Sequence, residues 1–238
     1  MTPALADSTL ADLVTDRPGR SRVFESFGLD YCCNGGRTLE QACAAVGQDV
    51  EPVLEKLAAF EAVDETEEPD FGNMGPTELY EHIVGTHHAY MKEELPALTI
   101  LVETVARVHA ENHPWLGQMR RVALDMFHEL DSHLMKEERI LFPMIKQLEE
   151  AAATPQFHCG SIENPMHVME LEHDGAGEAL AKIRQLTNDF TPPEGACNKF
   201  RAMLERLEAM EYDLHRHIHK ENSLLHPKAR ALAEAKGC

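Results

Sequence analysis

Four long segments in the C-terminal two thirds of the chain place apolar residues at alternating intervals of three and four. The segments cover residues 77–110, 116–150, 164–190 and 196–235. In the second segment, for example, the spacing passes through Met126, Leu130, Ile140 and Met144. Such intervals keep residues on one face of an α-helix, and four such faces can bury one another. The pattern predicts an all-α fold with an up-down four-helix bundle.

Each predicted core seam, meaning the line of residues that faces the bundle interior, is apolar except where a histidine or glutamate interrupts it. The six interruptions are His88, His133, Glu137, His173, His217 and Glu221. A histidine and a glutamate four residues apart usually form a surface pair, but here both lie on a seam. Because a buried carboxylate without a partner is costly, four imidazoles and two carboxylates on converging seams predict a metal site.

The metal site falls within an internal repeat. The H-x-x-x-E motif at residues 133–137 recurs 84 residues later at 217–221, and His88 recurs 85 residues later as His173. Several matches at a shared offset indicate duplication of a helical hairpin. We therefore expect each hairpin to hold one metal ion through its own two histidines, with the two glutamates bridging the ions.

The donor set favours two iron ions in a non-haem di-iron centre. Histidine with bridging carboxylate is typical of redox-active iron, although manganese or zinc accept the same ligands. Two imidazoles and two carboxylate oxygens per iron leave room for an oxo or hydroxo bridge and an exogenous ligand. Glu170 and His173 match the ferritin-type E-x-x-H pattern without a symmetric partner, so Glu170 is interpreted as incidental.

The remaining histidines do not lie on the core seams. In residues 215–219 only His217 lies on the seam, because His215 and His219 are about 200° away around the helix. A position at the surface or outside the ligand set is likewise predicted for His82, His87, His109, His113, His128, His158, His167 and His226.

The first third of the chain predicts a separate small helical domain. Residues 1–63 contain short helical stretches broken by turns, including a helix capped by Thr38 and Gln41. Residues 64–76 are acidic with proline and glycine, which predicts a flexible linker. The bundle then occupies residues 77–238.

The cysteines and the overall charge indicate the cellular compartment and argue against some classes of partner. Six cysteines at irregular positions favour reduced thiols in the cytoplasm over a disulfide framework. Cys32 and Cys33 precede the capped helix, whose N-terminus predicts a lowered pKa for one thiol, whereas Cys43 is expected to be an ordinary small residue of a compact domain. A net charge of −19 argues against nucleic acids and anionic membranes. No membrane span or signal peptide is predicted.

Motifs along nearly the whole chain resemble the Repair of Iron Centres family, di-iron proteins of the YtfE and ScdA type. They are DYCCNGGRTLEQAC at 30–43, EHIVGTHH at 81–88, SHLMKEERILFPMIK at 132–146, VMELEHDGAGE at 168–178, TPPEGAC at 191–197 and HIHKEN at 217–222. The resemblance implies a hemerythrin-like bundle, and the family's ligand pattern falls on the same six residues. It also implies repair of iron–sulfur clusters damaged by nitrosative and oxidative stress.

Within that resemblance several mechanisms stay open. The simplest is donation of iron to damaged iron–sulfur proteins or to cluster scaffold proteins, by a monomer or homodimer. The alternatives are reduction of nitric oxide at the di-iron site, or a module that senses nitric oxide or oxygen. Cys32 and Cys33 could supply electrons, receive nitric oxide or carry departing iron. Reversible oxygen carriage is disfavoured, because no seam carries a fifth histidine.

Overall fold

A computed structural model describes residues 5–61, 69–152, 155–157 and 160–236. The predicted all-α class is confirmed, since the described residues contain helices and only two isolated β-bridges. In the N-terminal region the helices are α1 (Leu10–Asp16), α2 (Ser21–Ser26), α3 (Leu39–Ala45) and α4 (Val50–Glu61), with a 3₁₀ turn at Pro18–Arg20. Thr38 and Gln41 form the predicted capping box at the start of α3. No described helix is long and apolar enough to cross a membrane.

The bundle consists of four continuous helical rods, three of which contain a π-helical turn. The first comprises α5 (Pro76–Ile83), a π-turn (Val84–His88) and α6 (Ala89–His109). The second comprises α7 (Trp115–Lys136), a π-turn (Glu137–Leu141) and α8 (Phe142–Glu150). The third is α9 (Glu163–Leu186). The fourth comprises α10 (Asn198–Lys220), a π-turn (Glu221–Leu225) and α11 (His226–Ala235).

The rods end within two residues of the predicted bounds, except that the third was predicted to reach residue 190. It ends at Leu186 because the next turn is left-handed, with φ of 51°, 58° and 53° at Asn188, Asp189 and Phe190. The Thr187 hydroxyl stabilises this turn by accepting a hydrogen bond from the Phe190 amide at 3.1 Å.

The π-turns shift the helical phase beside the predicted metal ligands. Ile140 was predicted on a core seam, but its side chain is 40% exposed and Leu141 takes the buried position. The prediction was wrong because a π-turn inserts about one extra residue, so a fixed interval of three or four no longer marks one face. Each of the three turns includes one predicted ligand, namely His88, Glu137 or Glu221.

The six seam residues form a polar layer between two apolar clusters. On one side of the layer, the core contains Met91, Leu130 and Leu214 together with Leu10 and Phe24 of the N-terminal region. On the other side, a separate cluster is built from the opposite ends of the rods, including α5, α8 and α11. The N-terminal region therefore shares its core with one half of the bundle.

Part of the predicted linker is packed against the bundle. Phe71 is buried, and the Lys220 ammonium lies 4.7 Å from the centre of its ring. Lys228 donates a hydrogen bond to the Gly72 carbonyl at 2.7 Å. Residues 69–75 therefore do not form a loose tether, and residues 62–68 lie outside the described part of the chain. The division into two domains stays a prediction.

Candidate metal centre

The structure brings the six predicted residues together in the polar layer. They form two overlapping groups, His88 and His217 with both glutamates, and His133 and His173 with both glutamates. Within each group, one ligand atom from every residue lies within 4.8 Å of the others. All six side chains are buried, and both glutamates are fully enclosed.

The histidines pair between the hairpins and not within them. The Nε2 atoms of His88 and His217 are 3.2 Å apart, and those of His133 and His173 are 3.1 Å apart. Two nitrogens bound at right angles to one metal, each at about 2.1 Å, would be roughly 3 Å apart. The expectation that each hairpin holds one metal through its own histidines was wrong. Each rod has two neighbours in a bundle, and the repeat is compatible with either pairing.

Each glutamate presents one oxygen to each histidine pair. Glu137 places Oε2 3.4 Å from His88 Nε2 and Oε1 3.3 Å from His133 Nε2. Glu221 places Oε1 3.0 Å from His217 Nε2 and Oε2 3.0 Å from His173 Nε2. This is the arrangement that two bridging carboxylates require.

The burial of these carboxylates tests whether the layer fits a cation. Among the described residues, neither oxygen of Glu137 nor Oε2 of Glu221 has a hydrogen-bond partner, although all three are buried. Burial and the Glu221 charge raise the pKa of Glu137, but His133 and His88 outweigh them and hold it at about 2. Buried anions without hydrogen bonds need a compensating positive charge. Four imidazoles and two carboxylates fit a cation-binding site, and the ligand role of each residue stays a prediction.

Two of the histidines are held by carboxylates that the sequence analysis did not identify. His88 Nδ1 donates to Glu138 at 2.8 Å, and His133 Nδ1 donates to Glu172 at 2.8 Å. A carboxylate can only accept, so each Nδ1 carries a hydrogen, and in the neutral imidazole the lone pair is then on Nε2, the atom that faces the layer. Glu138 and Glu172 lie one residue from a seam position, so the seam pattern carried no signal for them.

The other two histidines are held differently. His173 Nδ1 donates to the amide oxygen of Asn222 at 2.9 Å. His217 Nδ1 has no hydrogen-bond partner among the described residues, and its ring lies parallel to that of His87 with centroids 5.5 Å apart. The four imidazoles therefore offer the same donor atom to the layer, but the partners of their Nδ1 atoms differ.

Three off-seam histidines are buried, although a surface position was one of the two predicted for each. His87 bonds to Asp213 at 2.9 Å and to Lys220 at 2.9 Å. His226 stacks near His173, with ring centroids 6.3 Å apart, and donates to Glu170. The third, His219, faces the N-terminal region. None of these histidines belongs to either ligand group among the described residues. Their burial depends on tertiary neighbours that helical phase does not reveal.

Cys32 and Cys33 lie beside the polar layer. Their Sγ atoms are 3.8 Å apart, and Cys33 Sγ lies 3.8 Å from the carbonyl oxygen of His173. Asp30 accepts hydrogen bonds from both cysteine amides and joins the thiols in a small group of possible ligands. The lowered pKa predicted for one thiol is wrong for Cys32, whose pKa is raised well above its usual value by the Cys33 hydrogen bond, burial and Asp30. Cys43 is buried in the core.

Two domain families match the chain, a domain of unknown function (ScdA_N, DUF542) at residues 6–61 and the hemerythrin HHE cation binding domain at residues 80–229. The iron–sulfur cluster repair protein YtfE of Citrobacter koseri is 39% identical over 226 residues, covering 94% of this chain and 97% of that protein. The protein of the same name from Escherichia coli O157:H7 is 39% identical over 229 residues, covering 96% of this chain and 99% of its own. The Shigella boydii protein is 38% identical with the same coverage.

Proposed function

The chain belongs to the family of YtfE-type iron–sulfur cluster repair proteins, and we propose that it repairs damaged clusters by donating iron held in its histidine–glutamate layer. One observation carries the proposal. Two fully buried glutamates each offer one oxygen to each of two histidine pairs, and three of those oxygens have no hydrogen-bond partner among the described residues. The damage to be repaired is that caused by nitric oxide and by oxidants.

We assign one iron to each histidine pair. His88 and His217 would hold the first, His133 and His173 would hold the second, and Glu137 and Glu221 would each offer one oxygen to both. Bound there, the pair of irons supplies reversible one-electron chemistry and a store of metal. The protein holds the hydrogen of three imidazoles, those of His88, His133 and His173, on Nδ1, and it buries both carboxylates away from water.

The donor set favours release to a damaged cluster. Each iron takes two imidazoles and two carboxylate oxygens from the chain, and none of the six ligands is a thiolate. Iron–sulfur proteins offer softer sulfur ligands, which hold iron in clusters. Transfer from the histidine–glutamate layer to a damaged cluster protein, or to a scaffold protein, therefore moves iron towards its preferred ligands. The four cysteines that the structure describes are free thiols, consistent with activity in the reducing cytoplasm.

We assign Cys32 and Cys33 to the path of departing iron. The two thiols and Asp30 lie close enough to bind one cation together, and Cys33 is next to the backbone of His173. The raised pKa of Cys32 means that its thiol is protonated until a metal displaces the proton. A pair that is neutral when empty and thiolate when metallated suits transient binding better than storage.

The test is an anaerobic repair assay with the full chain. The iron-loaded protein is mixed with a protein whose [4Fe–4S] cluster has been damaged by nitric oxide, in the presence of a chelator that captures iron released to solvent. We expect the cluster absorbance and the activity of the recipient to recover while the donor loses iron in proportion. The double variant Glu137→Leu, Glu221→Leu is the control. Equal recovery with that variant, or no recovery with the wild type, would contradict iron donation.

Reduction of nitric oxide is the second candidate, favoured by one feature of the structure. A groove of about 410 Å³ is lined by His133, His173 and Glu172, so a small molecule can approach the second histidine pair. Nitrous oxide formed over many turnovers with an electron donor would favour this function. Iron transfer without nitrous oxide would favour donation.

A further inference from the structure

We propose that Asn222 is a positioning residue that makes iron retention by the His133–His173 pair depend on docking of the N-terminal region. The inference rests on the proposed iron site and adds a means by which the N-terminal region controls it. Asn222 follows the bridging Glu221 and does not belong to either ligand group.

The contact runs from the N-terminal region to a predicted ligand through a single amide. Asn222 Nδ2 donates to the backbone carbonyl of Cys32 at 3.2 Å. The Oδ1 atom of the same side chain accepts from His173 Nδ1 at 2.9 Å. A movement of the Cys32 carbonyl therefore acts on His173 through only one side chain.

The chemistry of the three groups allows one assignment of hydrogens. A backbone carbonyl can only accept, so it requires the NH₂ group of Asn222. The amide oxygen must then face His173, which requires the hydrogen on Nδ1 and leaves the lone pair on Nε2 for a metal. If the Cys32 carbonyl moves away, the amide is free to rotate and present its NH₂ to Nδ1. That orientation stabilises the tautomer with hydrogen on Nε2, which cannot bind a metal.

No other predicted ligand has this dependence among the described contacts. His88 and His133 are fixed by the carboxylates of Glu138 and Glu172, both of which belong to the bundle. An amide has both a donor and an acceptor end, whereas a carboxylate has only acceptors. Only the amide therefore needs a second contact to define its orientation.

The segment that carries Cys32 is seated directly on the bundle. Asp30 fixes its turn by accepting from the amides of Cys32 and Cys33. A methyl group added at Gly177, one turn after His173 on α9, would lie 3.7 Å from Cys33 Sγ. An alanine there fits in ordinary contact, whereas the longer side chain of leucine must push the cysteine segment away. Leucine at Gly177 should therefore displace the cysteine segment, and alanine at the same position is the matched control.

The experiment measures how fast a chelator removes iron from the reduced, fully loaded chain. Asn222→Ala removes both ends of the bridge, and we expect about tenfold faster loss of one of the two irons, the usual effect of removing a ligand's outer partner. Asn222→Asp keeps an acceptor for His173 and needs no carbonyl to orient it, so it should hold both irons as firmly as the wild type. Gly177→Leu should accelerate loss of the same iron about tenfold in the wild type, and Gly177→Ala should not.

Combined substitutions at Asn222 and Gly177 test whether the effect of the cysteine segment on iron loss passes through Asn222. In the Asn222→Asp background, Gly177→Leu should have no further effect on iron loss. The amide that links the Cys32 carbonyl to His173 is absent there, so a movement of the cysteine segment no longer reaches the histidine. An equal acceleration in both backgrounds, or wild-type kinetics in Asn222→Ala, would overturn this inference alone. A wild-type chain that binds no iron would overturn the proposed function as well, and that result is visible before any variant is made.

Discussion

The two histidine pairs of the candidate centre have the same donors and unequal surroundings. The pair formed by His88 and His217 is enclosed by aromatic rings. Phe142 stacks on His88 with ring centroids 5.6 Å apart, and His87 lies parallel to His217 at 5.5 Å. We refer to this pair and its surroundings as the sheltered half.

The pair formed by His133 and His173 is also buried, but it borders a groove on one side and the N-terminal region on the other, and we refer to it as the exposed half. Both histidines line the groove of about 410 Å³. His173 is also linked through Asn222 to the N-terminal region. The two pairs therefore have equal donor atoms and different packing, and we propose that this packing separates an iron that is retained from one that can leave.

The largest effect should follow loss of both bridging residues, because each serves both halves. We expect the double variant Glu137→Leu, Glu221→Leu to fall from two irons per chain to nearly none, measured by elemental analysis. Helicity should be largely unchanged by circular dichroism, since leucine fits an apolar seam. Full retention of two irons in this variant would rule out the bridging assignment.

Single histidine variants should separate the halves. His217→Leu removes a donor from the sheltered half and His133→Leu from the exposed half, so we expect each to lower iron content to about one per chain. His219→Leu is the matched control, because this histidine is buried but faces Tyr31, with ring centroids 5.7 Å apart. Similar iron loss from His219→Leu and His217→Leu would mean that the histidines of α10 are wrongly assigned.

The polar support of the sheltered half should contribute to folding stability. His87 accepts from Lys220 and donates to Asp213, so His87→Phe removes one partner from each of two largely buried groups. We expect a loss of about 1–3 kcal/mol in the free energy of unfolding of the metal-free chain, measured in urea. His226→Phe is the matched comparison, because His226 is buried next to His173 of the exposed half. It should cost less, since His226 Nε2 has no described partner to lose.

The smallest effect on iron content should come from Cys32→Ala with Cys33→Ala. Neither thiol belongs to the ligand groups in the polar layer, so we expect normal iron loading. Repair of a cluster damaged by nitric oxide should be slower, because departing iron loses its nearby sulfur ligands. Unchanged repair rates over a range of protein concentrations would remove both cysteines from the mechanism.

Helical periodicity was sufficient to choose the six polar-layer residues from 14 histidines and many glutamates. It worked because each seam is otherwise apolar, so a buried histidine or glutamate stands out against its neighbours. It failed at Ile140, where the π-turn shifts the phase of the helix. A local backbone irregularity leaves no trace in a pattern that assumes a constant interval.

Other features depended on which rods are neighbours. The pairing of His88 with His217 follows from contacts between the first and fourth rods, which the duplicated sequence does not specify. Glu138, Glu172 and Asn222 lie off the seams, and their importance appears only when the histidine ring beside each is in place. The raised pKa of Cys32 has the same origin, since the thiol faces Asp30 and a second thiol inside a packed interface.

The most direct test of the account is the Mössbauer spectrum of the full chain loaded with iron-57, recorded before and during treatment with a chelator. We predict two irons per chain in two signals of equal area, one for each half of the centre. One signal should disappear first, and it should be the signal that is already missing from His133→Leu and is retained in His217→Leu. A single iron per chain, or two signals that decline together at one rate, would contradict the account of a two-iron centre with unequal halves.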